Sequence, residues 1–150
     1  MPLFETQLCL PRPVEEVFAY FCRPAHRVEL APPDLHLTLL DAPEQVTLGS
    51  RVRVKISRWG LPQQLTGEVT VFEPGVRFVE EQREGPFRHW VHSHLFEPVA
   101  GGVRVADRID FEPPGGVLGM LMSAGLIERE LQEMFAYRRQ RLCERFGTLA

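Results

Sequence analysis

The sequence predicts an α+β fold: an antiparallel sheet covered by one long C-terminal helix, with two short helices near the N-terminus. Three observations predict it. Apolar residues recur at every second position from about residue 35 to residue 112. After Pro113-Pro114-Gly115-Gly116 the period changes to 3.6 and holds almost to the end of the chain. Between the first strand pattern and the rest lie two brief helical patterns, each bounded by proline.

The first strand is LFETQLCL, with Phe4, Leu8 and Leu10 on one face. PRPVEEVFAYF follows as a helix. Pro13 suits its first position, Glu15 and Glu16 favour its positive end, and Val14, Val17, Phe18 and Phe21 form the apolar stripe. Pro24 stops that helix, and a second short one runs through Leu30 to the Pro32-Pro33 break. In SRVRVKIS, Val52, Val54 and Ile56 face one way and Arg51, Arg53 and Lys55 the other. In LTGEVTVF, Leu65, Val69 and Val71 alternate with Thr66, Glu68 and Thr70. Such alternation gives antiparallel strands with one dry face and one wet face. Turns are expected at Leu61-Pro62, Glu73-Pro74-Gly75, Gly85-Pro86 and Gly101-Gly102.

The last helix is expected over about residues 116–146. Val117, Leu121, Ala124, Ile127, Leu131, Met134, Phe135, Leu142 and Phe146 form its stripe. Gly119 and Gly125 weaken its first half by roughly 1 kcal/mol each relative to alanine, so that half is expected to be the mobile one. A helix of this length must lie across a large apolar surface, and the sheet supplies it.

Composition narrows the function classes. A hydrophobic fraction of 44% in 150 residues is enough for one proper core, so a single domain over residues 1–150 is expected. The formal net charge of −3 provides no field for nucleic acid or an anionic membrane. Cys9, Cys22 and Cys143 form no CxxC pattern and read as buried, reduced thiols. The start MPLFETQLCL lacks a signal-peptide pattern, and no apolar stretch approaches the ~20 residues of a membrane span, so a cytoplasmic setting is expected. The basic stripe on Arg51, Arg53 and Lys55 reads as a solvated outer face opposite Glu68. The run Tyr137-Arg138-Arg139-Gln140-Arg141 reads likewise, with Glu128, Glu130, Glu133 and Glu144 nearby.

The element order, with PRPVEEVFAYFCRP, FEPGVRFVEEQREGPF, WVHSHLFEP, GGVRVADRIDFEPPGG and LQEMFAYRRQRL in sequence, resembles the START/SRPBCC helix-grip superfamily. Its members include polyketide cyclase/dehydrase-like and coenzyme Q-binding proteins, and the likeness covers about residues 3–146. It is greatest to small bacterial members with an H-x-H-x-F strand. The resemblance implies a curved sheet gripping the long helix, with a cavity for an apolar or amphipathic small molecule between them. It does not supply a reaction, because such folds host many functions.

The segment WVHSHLFEP carries the chemistry. Trp90, His92, His94 and Phe96 share one face of a strand. A three-residue loop at Gly85-Pro86-Phe87 sets Glu80 opposite His92 and Gln82 opposite Trp90. A hairpin closing over residues 97–102 pairs Phe96 with Val103 and His92 with Asp107. The inner face then holds Phe78, Glu80, Gln82, Trp90, His92, His94, Phe96, Val105, Asp107, Ile109 and Phe111. A one-residue slip would instead turn His89, Val91, Ser93 and Leu95 inwards.

On the first register a Glu80–His92–Asp107 set pairs the buried charges, and three readings follow. His92 and His94 with Glu80 or Asp107 are acceptable zinc ligands. His92 beside a carboxylate is a candidate general acid or base, with Asp107 its partner, as cyclisation or dehydration of a polyketone requires. The third reading is a pocket whose polar groups orient a ligand's polar end, or satisfy one another in a packed core. We carry forward binding of a lipid-, isoprenoid- or polyketide-like compound, as carrier or sensor, without metal or cofactor. The expected contacts are Phe78, Glu80, Gln82, Trp90, His92, His94, Phe96, Asp107, Ile109 and Met134, with Trp59 either at the cavity rim or packed in the core. A cyclase/dehydratase-like enzyme is the alternative.

Overall fold

A computed structural model describes residues 2–58 and 61–149. Strand β1 (Leu3–Leu10) leads into helices α1 (Val14–Phe21) and α2 (His26–Leu30) and a 3-10 turn at Pro33–Leu35. Six strands follow: β2 (Thr38–Asp41), β3 (Arg51–Arg58), β4 (Leu61–Glu73), β5 (Arg77–Glu84), β6 (His89–Val99) and β7 (Gly102–Glu112). The chain closes with α3 (Gly116–Leu121) and α4 (Ala124–Phe146). The strands form one seven-stranded sheet in the order β1-β7-β6-β5-β4-β3-β2, with every neighbouring pair antiparallel. This is the expected α+β architecture, a curved sheet wrapped on the C-terminal helix. Among the described residues no helix is long and apolar enough to cross a membrane.

The β5–β6 register is the expected one, with Glu80 opposite His92. The β6–β7 register is not. Phe96 faces Val105, His94 faces Asp107 and His92 faces Ile109, because Val99 pairs with Gly102 and the hairpin closes tightly over Ala100-Gly101. Gly101, with φ of +82°, supplies the left-handed conformation that such a short turn demands. The shift is two residues, so each side chain stays on its expected face. Leu61-Pro62, expected as a turn, instead opens β4, with Pro62 opposite Ser57. Irregularities between Thr66 and Gly67 and between Val69 and Val71 break the simple alternation expected in β4, and Thr66 is buried.

The C-terminal helix is interrupted. Ser123 caps α4, its Oγ accepting a hydrogen bond from the Leu126 amide at 3.2 Å, and Met122 takes a non-helical conformation. The expected stripe therefore holds from Ile127 onwards: Ile127, Leu131, Phe135, Leu142 and Phe146 are buried. Val117 and Leu121 are 77% and 64% exposed on α3. Gly119 is required there, since a Cβ would stand 2.0 Å from the Pro114 carbonyl oxygen.

Two apolar clusters result. The larger packs Phe18, Phe21, Phe78 and Phe96 with Val69, Val103, Val105 and Leu142. The smaller joins Phe4, Ile109 and Phe111 to Ile127, Leu131 and Phe135. The stripe of Arg51, Arg53 and Lys55 is exposed as expected, with Arg51 Nε 3.0 Å from Glu68. All three cysteines are free, although only Cys22 is fully buried and Cys9 and Cys143 are half-buried.

Candidate functional site

A cavity of about 650 Å³ lies between the inner face of the sheet, α2 and the start of α4. Its walls are Val52, Val54, Ile56, Leu65, Trp90 and Ile109 from the sheet, with Leu30, Leu35 and Leu37 beside them. Leu118, Leu121, Met122, Leu126, Ile127, Leu131, Met134 and Phe135 cover it. The helix break places exposed apolar residues of α3 at this cover. Cavities of this size with apolar walls and few polar groups are the usual form of a small-molecule site.

The polar groups are contiguous. Arg27 on α2 reaches across to Glu80 on β5 and makes a two-pronged ion pair with its carboxylate, one hydrogen bond being 2.9 Å from Arg27 Nη1 to Glu80 Oε2. Burial pushes the Glu80 pKa up, but the Arg27 charge and its hydrogen bonds outweigh that and hold it at about 2. The same pair keeps Arg27 above its ordinary value in spite of burial.

From β6 and α4, three groups converge on a single oxygen of Asp107 on β7. His92 Nε2 stands 2.8 Å from Oδ1, His94 Nδ1 3.3 Å and Arg138 Nη2 3.9 Å. Only His92 makes a hydrogen bond; His94 Nδ1 is out of line and is buried without a partner. Burial would raise the Asp107 pKa, yet Arg138 and the two imidazoles hold it well below the usual carboxylate range. A carboxylate only accepts, so His92 carries its proton on Nε2 and, when neutral, its lone pair on Nδ1. His94 lies between the rings of His92 and Phe78, with centroids 3.8 and 4.3 Å away. Burial drives its pKa down to about 3, and neighbouring His92 adds to this, so His94 is neutral at ordinary pH.

Of the side chains anticipated as ligand contacts, Glu80, Gln82, Trp90, His92, His94, Ile109 and Met134 border the cavity. Phe78 and Phe96 do not: both belong to the packed cluster behind it, where Phe78 is fully buried. Asp107 does not border the cavity either; it is hydrogen-bonded to His92, which does. Gln82 spends its amide on the β5–β6 hairpin, bonding the Phe87 carbonyl at 2.7 Å. The anticipated Glu80–His92–Asp107 set is divided in two, because Arg27 takes Glu80. The set His89, Val91, Ser93 and Leu95 lies on the opposite face of β6. Trp59 lies outside the described residues.

Sequence reasoning missed Arg27 and misplaced Arg138. Arg138 is no solvated residue: its side chain is 18% exposed and its guanidinium lies over the rings of Phe21 and Phe135, at 5.0 and 5.2 Å. The signal was present, since Arg138 falls three residues after Phe135 and four before Leu142, on the buried stripe itself. His92, His94 and Asp107 also set one potential ligand atom each within 4.8 Å of the others. That is an acceptable zinc donor set. The Arg138 charge beside the shared oxygen works against a cation there.

Residues 60–146 match the model of a family described as a domain of unknown function, DUF8410. The chain belongs to the DUF8410 family. No curated protein matches it. Among solved structures, this DUF8410 chain is similar to protein CV1439 from Chromobacterium violaceum, with a TM-score of 0.76, 14% identity and 98% of each chain covered. It is similar to StfQ, a di-domain ARO/CYC from the steffimycin biosynthetic pathway, with a TM-score of 0.69 and 16% identity, over 97% of this chain and 50% of that one. A third likeness is to Ara h 8.0201, with a TM-score of 0.60, 12% identity, and 95% and 98% of the two chains covered. At such identities these likenesses establish a shared helix-grip fold.

Proposed function

We propose that this DUF8410 protein is a START/SRPBCC-type domain over residues 1–150 that binds a hydrophobic or amphipathic small molecule, as a cytoplasmic carrier or sensor. The observation that carries the reading is the 650 Å³ cavity, apolar over most of its wall with a few ionisable side chains among its lining. A packed core would close such a space with aliphatic side chains, because buried polar groups without partners destabilise it. Lipid-, isoprenoid- and polyketide-like compounds match this apolar wall with its few polar groups.

One observation favours a second reading. His92 borders the cavity, and its hydrogen bond to Asp107 behind it fixes the tautomer, leaving Nδ1 of neutral His92 as the proton acceptor. StfQ, whose fold is shared, is described as an ARO/CYC. A cyclase/dehydratase-like enzyme would use His92 to remove a proton beside a ketone and return it to the departing oxygen, with Asp107 holding the ring.

Native mass spectrometry of protein from its source, followed by incubation with the co-purified compound, separates these outcomes. A carrier or sensor returns the compound unchanged. Turnover by wild type that is lost in His92→Ala establishes the enzyme. No ligand, with no uptake of added apolar compounds, would defeat both.

A further inference from the structure

The charges around the cavity are not equally committed. Arg27 and Glu80 neutralise each other through paired hydrogen bonds. Asp107 is bonded to His92 and sits behind it. Arg23, which also borders the cavity, is half-exposed and lies 3.6 Å from Glu44. Arg138 differs from all of these. It borders the cavity, and among the described residues its guanidinium makes no hydrogen bond. Its closest carboxylate oxygen is 3.9 Å away, and Nε is buried without a partner. Two aromatic faces hold the cation without satisfying any of its five N–H donors. The long ion pair with Asp107 leaves these donors open, and a bidentate anion is their best complement.

Resting on the binding reading above, we propose that the ligand is an amphipathic acid whose anionic oxygens, those of a carboxylate or enolate, dock on Arg138. Its apolar body then extends along Ile109, Leu131 and Met134 towards the cover. Glu80 does not repel the head group strongly because Arg27 is locked to it, and Asp107, which does not line the cavity, is hydrogen-bonded to His92. Glu130 borders the cavity two helical turns from Arg138, which favours the apolar part of the ligand, and not a second anion, in between.

The test compares two probes of equal chain length, dodecanoate and dodecanol, by titration calorimetry at about pH 8, where the acid is ionised. Wild type should bind dodecanoate at least about tenfold more tightly than dodecanol. Arg138→Met should bring dodecanoate down to the level of dodecanol in the same variant, while Arg138→Lys keeps part of the preference. Equal affinities in wild type, or a preference undiminished in Arg138→Met, would overturn the role of Arg138 and leave the cavity reading standing. Binding of neither probe would overturn both. The wild-type comparison decides the matter by itself if Arg138→Met does not fold.

Discussion

Strand β6 passes through two different environments. At one end Phe96 is 4% exposed, its ring within 5.0–6.3 Å of Phe18, Phe21 and Phe78. At the other, Trp90 and His92 border a cavity large enough for a small molecule. The inner-face alternation is the same along the whole strand, so pattern does not separate the two ends. What differs is the partner. The aromatic end meets α1, whose Phe18 and Phe21 fill the space; at the histidine end α4 packs along Ile109 and Phe111, and the cavity opens beside Trp90 and His92. A grip fold thus keeps one half of its interior close-packed for stability and holds the other half open, with the ionisable groups gathered near the boundary.

The sharpest way to break this contrast is to truncate one side chain on each side. Phe78→Ala removes a fully buried ring and should destabilise the protein by about 3–5 kcal/mol in urea unfolding. Met134→Ala, at the cavity wall, should cost less than about 1 kcal/mol, since little packing is lost there. Equal losses would mean that the cavity region is as closely packed as the core.

The boundary itself is tested by pH. His94 has a folded pKa of about 3 against an ordinary 6.5, so below about pH 6.5 the unfolded chain takes up a proton that the folded one refuses. Stability must therefore fall as pH drops from the ordinary value towards the folded one. Between pH 7.5 and 5 this amounts to roughly 2 kcal/mol. Glu80 and Asp107 have pKa values below the ordinary carboxylate range and contribute stability that is lost only on further acidification. His94→Phe keeps a ring stacked on Phe78 and should flatten the slope by about that amount. Identical slopes in the two proteins would show that burial does not control His94.

The smallest expected effect is none. Elemental analysis of protein prepared without chelators should find no stoichiometric transition metal, because Arg138 already supplies a positive charge at the shared Asp107 oxygen. One zinc per chain, lost in His94→Ala, would replace the organic-ligand account of these side chains with a metal centre.

The fold was legible wherever periodicity is the physical cause. Alternation identified the inner face of β6, and the short turn at Gly85-Pro86-Phe87 put Glu80 opposite His92. Alternation cannot distinguish registers that differ by two residues, which is why Asp107 was matched to His92 when it lies opposite His94. The break at Met122-Ser123 escaped because α3 and α4 are both apolar enough to continue one stripe; only the Ser123 cap marks it. The ion pairs escaped for a different reason. Arg27 meets Glu80 across 53 residues of chain, a contact no local pattern encodes. Arg138 was assigned to solvent by its arginine-rich neighbours, although its helical position put it on the buried stripe. Long cationic side chains carry an apolar stem and a charged head, so their residue type alone does not say which way they point.

The central claim is that the space beside Trp90 is a binding site, and Trp90 itself can report on it. With Trp59→Phe removing the other tryptophan, fluorescence of Trp90 should be quenched by brominated dodecanoate in a saturable curve that ends at one probe per chain. Quenching that rises linearly with probe concentration and never saturates, as for a tryptophan meeting the probe only by collision, would contradict it.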